Sequence, residues 1–363
     1  MKNVIKTLVL FASVVMFSSA NAGELTVTGT AKATYIISAG ESSTSVNNKG
    51  KALGITNELA FTGTGELDNG YTWKYQVELD DNAAGATTSD DTRLELTTPY
   101  GVIAAYNTEG GLSTKYKFSQ AAYGAGSDNG ASGTMQYGTA IDSYNNVQYH
   151  TPAGFLPFET VAKAAWSPSS DKGKNSGNSA GAANANADGS NVMQYQVIAS
   201  PIDGMGIGAS YLEKDGENGT EKYQTGGAYV TYDVGQFSLG YGQHRISNNI
   251  DGKTDQASAL ALTATTAANT ATFLNEAISI GFAVNDNLSV SYETEDSEAK
   301  KKVVVGSTRA DTDTSVTLNV QTVQAAYTMG GMTMSISAKE IENEAYALGR
   351  DAKETLLAVV MAF

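Results

Sequence analysis

Long runs of period-2 alternation, joined in turn by tight turns and by long polar loops, constrain this chain more than any other feature. The clearest run spans 58–80, ELAFTGTGELDNGYTWKYQVELD. Leu59, Phe61 and Gly63 alternate with Glu58, Ala60 and Thr62. Asp68-Asn69-Gly70 then supplies a turn that demands positive φ. Beyond it Tyr71, Trp73, Tyr75, Val77 and Leu79 alternate with Thr72, Lys74, Gln76 and Glu78. Each arm is roughly ten residues long, beyond the usual soluble strand and equal to a tilted strand that crosses a bilayer.

The unit repeats. Tight turns are expected at Asp68-Asn69-Gly70, Pro99-Tyr100-Gly101, 152–155, 201–204, Asp233-Val234-Gly235, Asn285-Asp286-Asn287 and Met329-Gly330-Gly331. Longer polar stretches lie between them at 38–51, 80–92, 107–144, 167–190, 213–222, 247–271, 295–314 and 342–352. Seven turns and eight loops in alternation link sixteen strands. This predicts an all-β fold, a 16-stranded antiparallel transmembrane β-barrel with short periplasmic turns and long extracellular loops. Closure satisfies the backbone without an edge exposed to lipid. A soluble β-sandwich would need neither strands this long nor so regular an alternation of connections.

The termini give the compartment. Residues 1–22 read as a secretory signal peptide: Lys2 and Lys6, an apolar run from Leu8 to Phe17, then Ala20-Asn21-Ala22. That run is too short for a spanning helix, which needs about 20 residues. A single barrel domain over 23–363 is expected, in an exported chain without cysteine, so without a disulfide framework or thiolate metal site. The formal net charge is −15, and it becomes −17 once Lys2 and Lys6 are removed. A chain this acidic repels nucleic acid and attracts cations. At the other end the chain alternates into Phe363 and stops, so the final ring is expected to sit in an aromatic girdle at the turn-side rim as strand 16 closes on strand 1.

Three stretches resemble the general porins of Gram-negative outer membranes. NNVQYHTPAGFLPFETVAKAAW (145–166) is similar to the strand-turn-strand that follows the constriction loop of that family. NELAFTGTGELDNGYTWKYQVELD and LTTPYGVIAAYNTEGG resemble its earlier hairpins, in the family's order. The resemblance implies a homotrimer joined through the first and last strands, with small outward residues such as Gly29, Ala31 and Ala33 permitting close packing. It implies a terminal Phe363 read by the barrel-assembly machinery, contact with outer-membrane lipid and lipopolysaccharide, and passage of small hydrophilic solutes without a cofactor. In such porins the third loop folds into the barrel with acidic residues facing a basic wall; here that candidate constriction loop is 107–144, carrying Glu109, Asp128 and Asp142, with Lys115 and Lys117 diluting its acidity.

Alternation assigns the wall. With Leu25, Val27, Ala31, Ala33 and Tyr35 outward, Lys32 points inward; by the same rule Glu58, Lys74, Glu78, Arg93, Glu95 and Tyr106 line the lumen. Lys32, Lys74 and Arg93 then form one basic wall opposite the loop carboxylates, a device that selects ions. Sixteen strands leave an aqueous channel, and the acidic chain favours cations.

Other functions fit less well. Barrel hydrolases need a base paired with a nucleophile, yet His150 and His244 are the only histidines, lie at opposite ends, and lack a neighbouring partner. No metal site is read. DGMGIGAS (203–210) enters an alternating strand, not a helix, so its glycines are not a phosphate cradle. A substrate-specific channel remains the alternative: an anion channel would need a basic lumen, and a sugar channel an inner file of aromatics such as Tyr106, Tyr116 and Tyr123. Asp80, Asp81, Asp90 and Asp91 on the second loop, and Lys300 to Lys302 on the seventh, are read as solvated loop charges that could also meet lipopolysaccharide and its divalent cations. A short helix is the reading of the Ala/Thr-rich sixth loop.

Overall fold

The computed structural model describes residues 23–40, 50–81, 87–129, 135–168, 191–215, 222–247, 270–305 and 308–363. The expected signal peptide and most of the sixth loop, with its expected helix, lie outside these residues. Sixteen strands follow in order: β1 (Leu25–Gly40), β2 (Gly50–Glu66), β3 (Thr72–Asp81), β4 (Thr87–Thr98), β5 (Gly101–Asn107), β6 (Asn146–His150), β7 (Val161–Ser167), β8 (Val192–Ala199), β9 (Met205–Lys214), β10 (Tyr223–Val234), β11 (Phe237–Ser247), β12 (Thr270–Ala283), β13 (Leu288–Val305), β14 (Thr308–Met329), β15 (Met332–Glu342) and β16 (Ala352–Ala362). Each pairs antiparallel with its sequence neighbours, and β1 pairs with β16 to close the barrel.

The strands place their apolar residues outside. Val27, Ile55, Leu94, Ile103, Val147, Val197, Ile278, Val323, Ile336 and Leu357 are exposed, whereas Gln148, Gln194, Ser279, Glu293, Glu295 and Gln324 are buried. A barrel in water would reverse this distribution, so the surface is built for hydrocarbon. Among the described residues no helix is long and apolar enough to cross a membrane; a barrel crosses with strands.

The last residue extends the closing ladder by one pair. Gly29 N donates to the Phe363 carbonyl at 2.9 Å, and Phe363 N donates to the Gly29 carbonyl at 3.0 Å. A Cβ at position 29 would stand 2.7 Å from Phe363 Cζ and 2.8 Å from the Glu58 carbonyl oxygen. The terminal ring therefore lies across a glycine on the lipid face.

Three connections differ from the sequence reading. The seventh loop, expected over 295–314, is almost entirely strand: β13 runs to Val305 and β14 starts at Thr308. Buried and outward residues keep alternating as far as Lys300, so pairing continues where outward charges such as Asp296 meet water rather than lipid. Lys300 to Lys302 accordingly stand on β13. The second loop shrinks to 82–86, because Thr87 and Thr88 extend β4 against β3 past a bulge between Val77 and Leu79. Asp80 and Asp81 thus lie on β3, and Asp90 and Asp91 on β4. The third turn is not tight: ten residues, 151–160, separate β6 from β7. Pro152 and Pro157 cannot donate to the ladder, and Phe158 and Glu159 take left-handed φ of 60° and 52°.

Candidate functional site

The described residues 108–129 and 135–145, between β5 and β6, run inside the barrel. Thr108 starts the inward bend with φ 52°, its hydroxyl donating to Asp91 Oδ1 at 2.9 Å. Gly110, at φ 78°, completes the bend; a Cβ there would stand 2.6 Å from both Gln148 Nε2 and the Tyr106 ring.

Lumen-facing side chains then hold the loop along the wall from β6 to β15. Gln148 Nε2 donates to the Gly110 carbonyl at 2.5 Å and Gln196 Nε2 to that of Leu112 at 3.0 Å. Thr114 N donates to Ser210 Oγ at 3.0 Å, and Gln120 N to Ser279 Oγ at 2.8 Å. At Gly240 the wall has no side chain because a Cβ would lie 1.8 Å from the Phe118 carbonyl oxygen. Two buried carboxylates on β13 carry the strongest anchors. Glu293 accepts from Ser119 Oγ at 2.6 Å and Gly126 N at 2.7 Å. Glu295 accepts from Ser127 N at 2.7 Å, and from Ser127 Oγ and the Tyr137 hydroxyl at 2.6 Å each. Lys339 on β15 ion-pairs with Glu354 and donates to the Asn129 carbonyl. From above, Tyr346 in the last loop accepts from Gln136 N at 2.9 Å. Its phenol, which also meets Ser297 Oγ, is pushed up to about 12 by burial.

With the loop pressed on β6 to β15, the remaining lumen is bounded by the loop, β16 and β1 to β5. Arg93 on β4 donates to Glu78 Oε1 at 3.1 Å and to Glu109 Oε1 at 2.6 Å, so wall and loop touch here through one guanidinium. These charges are expected on opposite sides of a gap; Arg93 and Glu109 are instead in contact. Glu78, Asp91 and Glu109 have ligand oxygens within 4.8 Å of one another. They are the one such group among the described residues, and Arg93 already neutralises part of it. Glu95 accepts from the Tyr106 hydroxyl at 2.9 Å and stands opposite Lys74 in register. Lys32 points inward, its ammonium 5.3 Å from the centre of the Tyr123 ring on the loop. Glu58 pairs in register with Thr30 and Asp80.

Asp128 and Asp142 do not join the group of ligand oxygens formed by Glu78, Asp91 and Glu109. Asp128 closes a 3₁₀ turn (Gly126–Asp128) beside Tyr116, whose phenol is raised by burial and by Asp128. Asp142 lies in a second turn (Ile141–Ser143); burial lifts its carboxyl above the usual range, Lys115 opposes the shift and Glu109 reinforces it. His150 Nε2 is 2.9 Å from Gln148 Oε1, and His244 Nε2 is 3.3 Å from Thr225 Oγ1. The stretch 203–210 enters β9, as the alternation requires.

Glu293 and Glu295 were missed as site residues because the second fell in an expected loop. Their alternation with Tyr292 and Thr294 was the available signal.

A sequence profile for Gram-negative porins matches residues 9–275. The chain belongs to that family. No curated protein matches this porin in sequence. Among solved structures it is similar to a loop-L8 deletion mutant of OmpT, an outer membrane protein of Vibrio cholerae, at 12% identity and TM-score 0.63, covering 94% of this chain and 100% of that one. OmpF of Salmonella typhi, in complex with daunomycin, matches at 12% identity and TM-score 0.63 over 94% of this chain and 98% of its own. A mutant Rh. blastica porin matches at 12% identity and TM-score 0.58, over 94% and 100%. At such identities the likeness concerns the fold. This porin is an outer-membrane protein with the channel architecture of its family.

Proposed function

We propose that this porin forms a water-filled pore for passive diffusion of small hydrophilic solutes and ions, with a preference for cations and no catalytic role. The observation that carries the reading is the inner loop, bonded along one side of the lumen while the other side keeps a charged wall. Lys32, Lys74, Arg93, Glu109, Asp128 and Asp142 are assigned to the constriction, and Glu58, Glu78, Glu95 and Tyr106 to the lining. Contact between Arg93 and two carboxylates reduces the basic character of the wall, which leaves the net charge of −17 without Lys2 and Lys6 to favour cations.

Residues 1–22 are assigned to a cleaved signal peptide, 23–363 to the mature barrel and 107–144 to the constriction loop. The family supports a homotrimer, and the exposed small and apolar face of β1 supports its packing. Phe363, docked on Gly29, is assigned as the terminus that the assembly machinery reads. Swelling of liposomes in neutral sugars of increasing size tests the pore. Rates that fall smoothly with solute size are expected; uptake of one sugar alone would favour a substrate-specific channel.

A further inference from the structure

Two lysines and a histidine converge on the lumen near the turn-side rim. Strand alternation turns His150 of β6 and Lys163 of β7 inward with Gln148 and Ala165, and the two stand directly opposite each other in register. Side chains so placed have Cβ atoms about 4.5–5.5 Å apart, and like charges there destabilise the sheet. Lys117 adds a third group from the inner loop. Phe118 beside it turns to the wall at Gly240 and Gly242, which leaves Lys117 exposed to the lumen, where its charge acts on Lys163.

Among the described residues the ammonium groups of Lys117 and Lys163 make no hydrogen bond or ion pair. The one carboxylate whose charge acts on both Lys163 and His150 is Glu95, already bonded to Tyr106 at 2.9 Å and set opposite Lys74. The imidazole is also held in place. Gln148 Nε2 donates to the Gly110 carbonyl and to Asn146 Oδ1, so Gln148 Oε1 accepts from His150 Nε2 at 2.9 Å and leaves Nδ1 to take a proton beside an anion. A chain with 38 acidic residues against 23 basic ones has carboxylates in excess, so cations gathered without one break the local rule as functional sites do.

The group has a definite place along the pore. His150 ends β6 and Lys163 stands near the start of β7, toward the turn-side rim, whereas Glu78 and Asp91 lie toward the loop-side ends of β3 and β4. Charge is thus divided along the axis, with carboxylates toward the loops and these lysines toward the turns.

We propose that Lys117, Lys163 and His150 form a subsite for small dianions on the periplasmic side of the constriction. The two ammonium groups meet the two charges of the solute, and His150 donates a hydrogen bond from Nδ1. Inorganic phosphate and a short dicarboxylate share this chemistry. The subsite rests on the pore reading for its access, and the sign of ion selectivity is set by the lumen as a whole.

Calorimetric titration of the folded purified barrel in detergent with inorganic phosphate, succinate and acetate tests the proposal, in a mildly alkaline buffer of low ionic strength that keeps phosphate doubly charged. Saturable binding of phosphate or succinate is expected, at least about tenfold tighter than that of acetate, because the second charge finds a second lysine. The tighter of the two dianions identifies the solute class. The double variant Lys117→Gln/Lys163→Gln should weaken binding at least about tenfold, and the barrel should still fold because neither ammonium holds a bond within the described protein. Lys353→Gln removes a charge that pairs with Glu340 on the outer face and should leave the affinity unchanged. Should the double variant misfold, each single variant must weaken binding at least about threefold. Absence of saturation by both dianions, equal binding of acetate, a folded Lys117 and Lys163 variant that binds like the unmodified barrel, or an equal loss from Lys353→Gln would each overturn it. Titration needs no ion current, so its failure is distinguishable from failure of the pore reading.

Discussion

Glu295→Ala should release the middle of the inner loop without unfolding the barrel. The Glu295 carboxylate is fully buried and takes three bonds from donors on the loop: Ser127 N, Ser127 Oγ and the Tyr137 hydroxyl. Bonds to a charged group contribute about 1.5–3 kcal/mol each, so the three together amount to about 5–9 kcal/mol. The alanine variant forfeits them and strands Ser127 N–H and the Tyr137 hydroxyl against a dry wall, each at about 1–3 kcal/mol. Glu293, Ser210 and Ser279 still hold other parts of the loop, so detachment is confined to residues near 127 and 137. The wall itself is a closed ladder of sixteen strands that this side chain does not support. Single-channel recording should show larger and noisier open currents, with Glu295→Gln intermediate because its amide oxygen still accepts from Ser127 N. Gel mobility without heating should report a folded barrel. An unchanged current, or a smaller one, from a folded Glu295→Ala barrel would refute the reasoning.

Three further outcomes follow from single contacts. Arg93→Ala leaves Glu78 and Glu109 uncompensated beside the open lumen; one charge at 4 Å is worth about 1 kcal/mol in watery surroundings, so the cation-to-anion permeability ratio should rise about fivefold in reversal-potential measurements. Asp142 has a folded-state pKa above its unfolded value, through burial first, so its charged form penalises folding above that pKa and the penalty vanishes below the ordinary carboxylate range. Asp142→Asn should therefore stabilise the protein near neutral pH, and the gain in thermal unfolding should begin to shrink as pH falls through the raised pKa and vanish below the ordinary carboxylate range. Gly29→Val puts a Cβ 2.7 Å from the Phe363 ring and 2.8 Å from a backbone carbonyl that cannot step aside; the yield of folded barrel in the outer membrane should fall for this variant and for deletion of Phe363.

The barrel was legible because hydrocarbon enforces alternation on every strand. Turn residues such as Asp68-Asn69-Gly70 and Asn285-Asp286-Asn287 marked one rim, and sixteen strands resulted. Polarity misled where the strands outgrow the membrane, as at Asp296 and Glu298 on β13, because outward residues there meet water and cease to be apolar. The site was legible only by facing direction: Arg93, Glu95 and Glu78 point inward by parity. The contact of Arg93 with Glu109 rests on a left-handed Thr108, a residue type that carries no local signal for that conformation. Ser127 and Glu295 are 168 residues apart, and nothing in either segment's own pattern announces the pairing.

The most direct measurement is the zero-current potential of the purified mature protein in a planar bilayer under a salt gradient. Large, stable open steps and a potential whose sign reports cation preference are expected. A folded barrel that stays silent, or one whose potential has the anion-selective sign, would contradict the expectation.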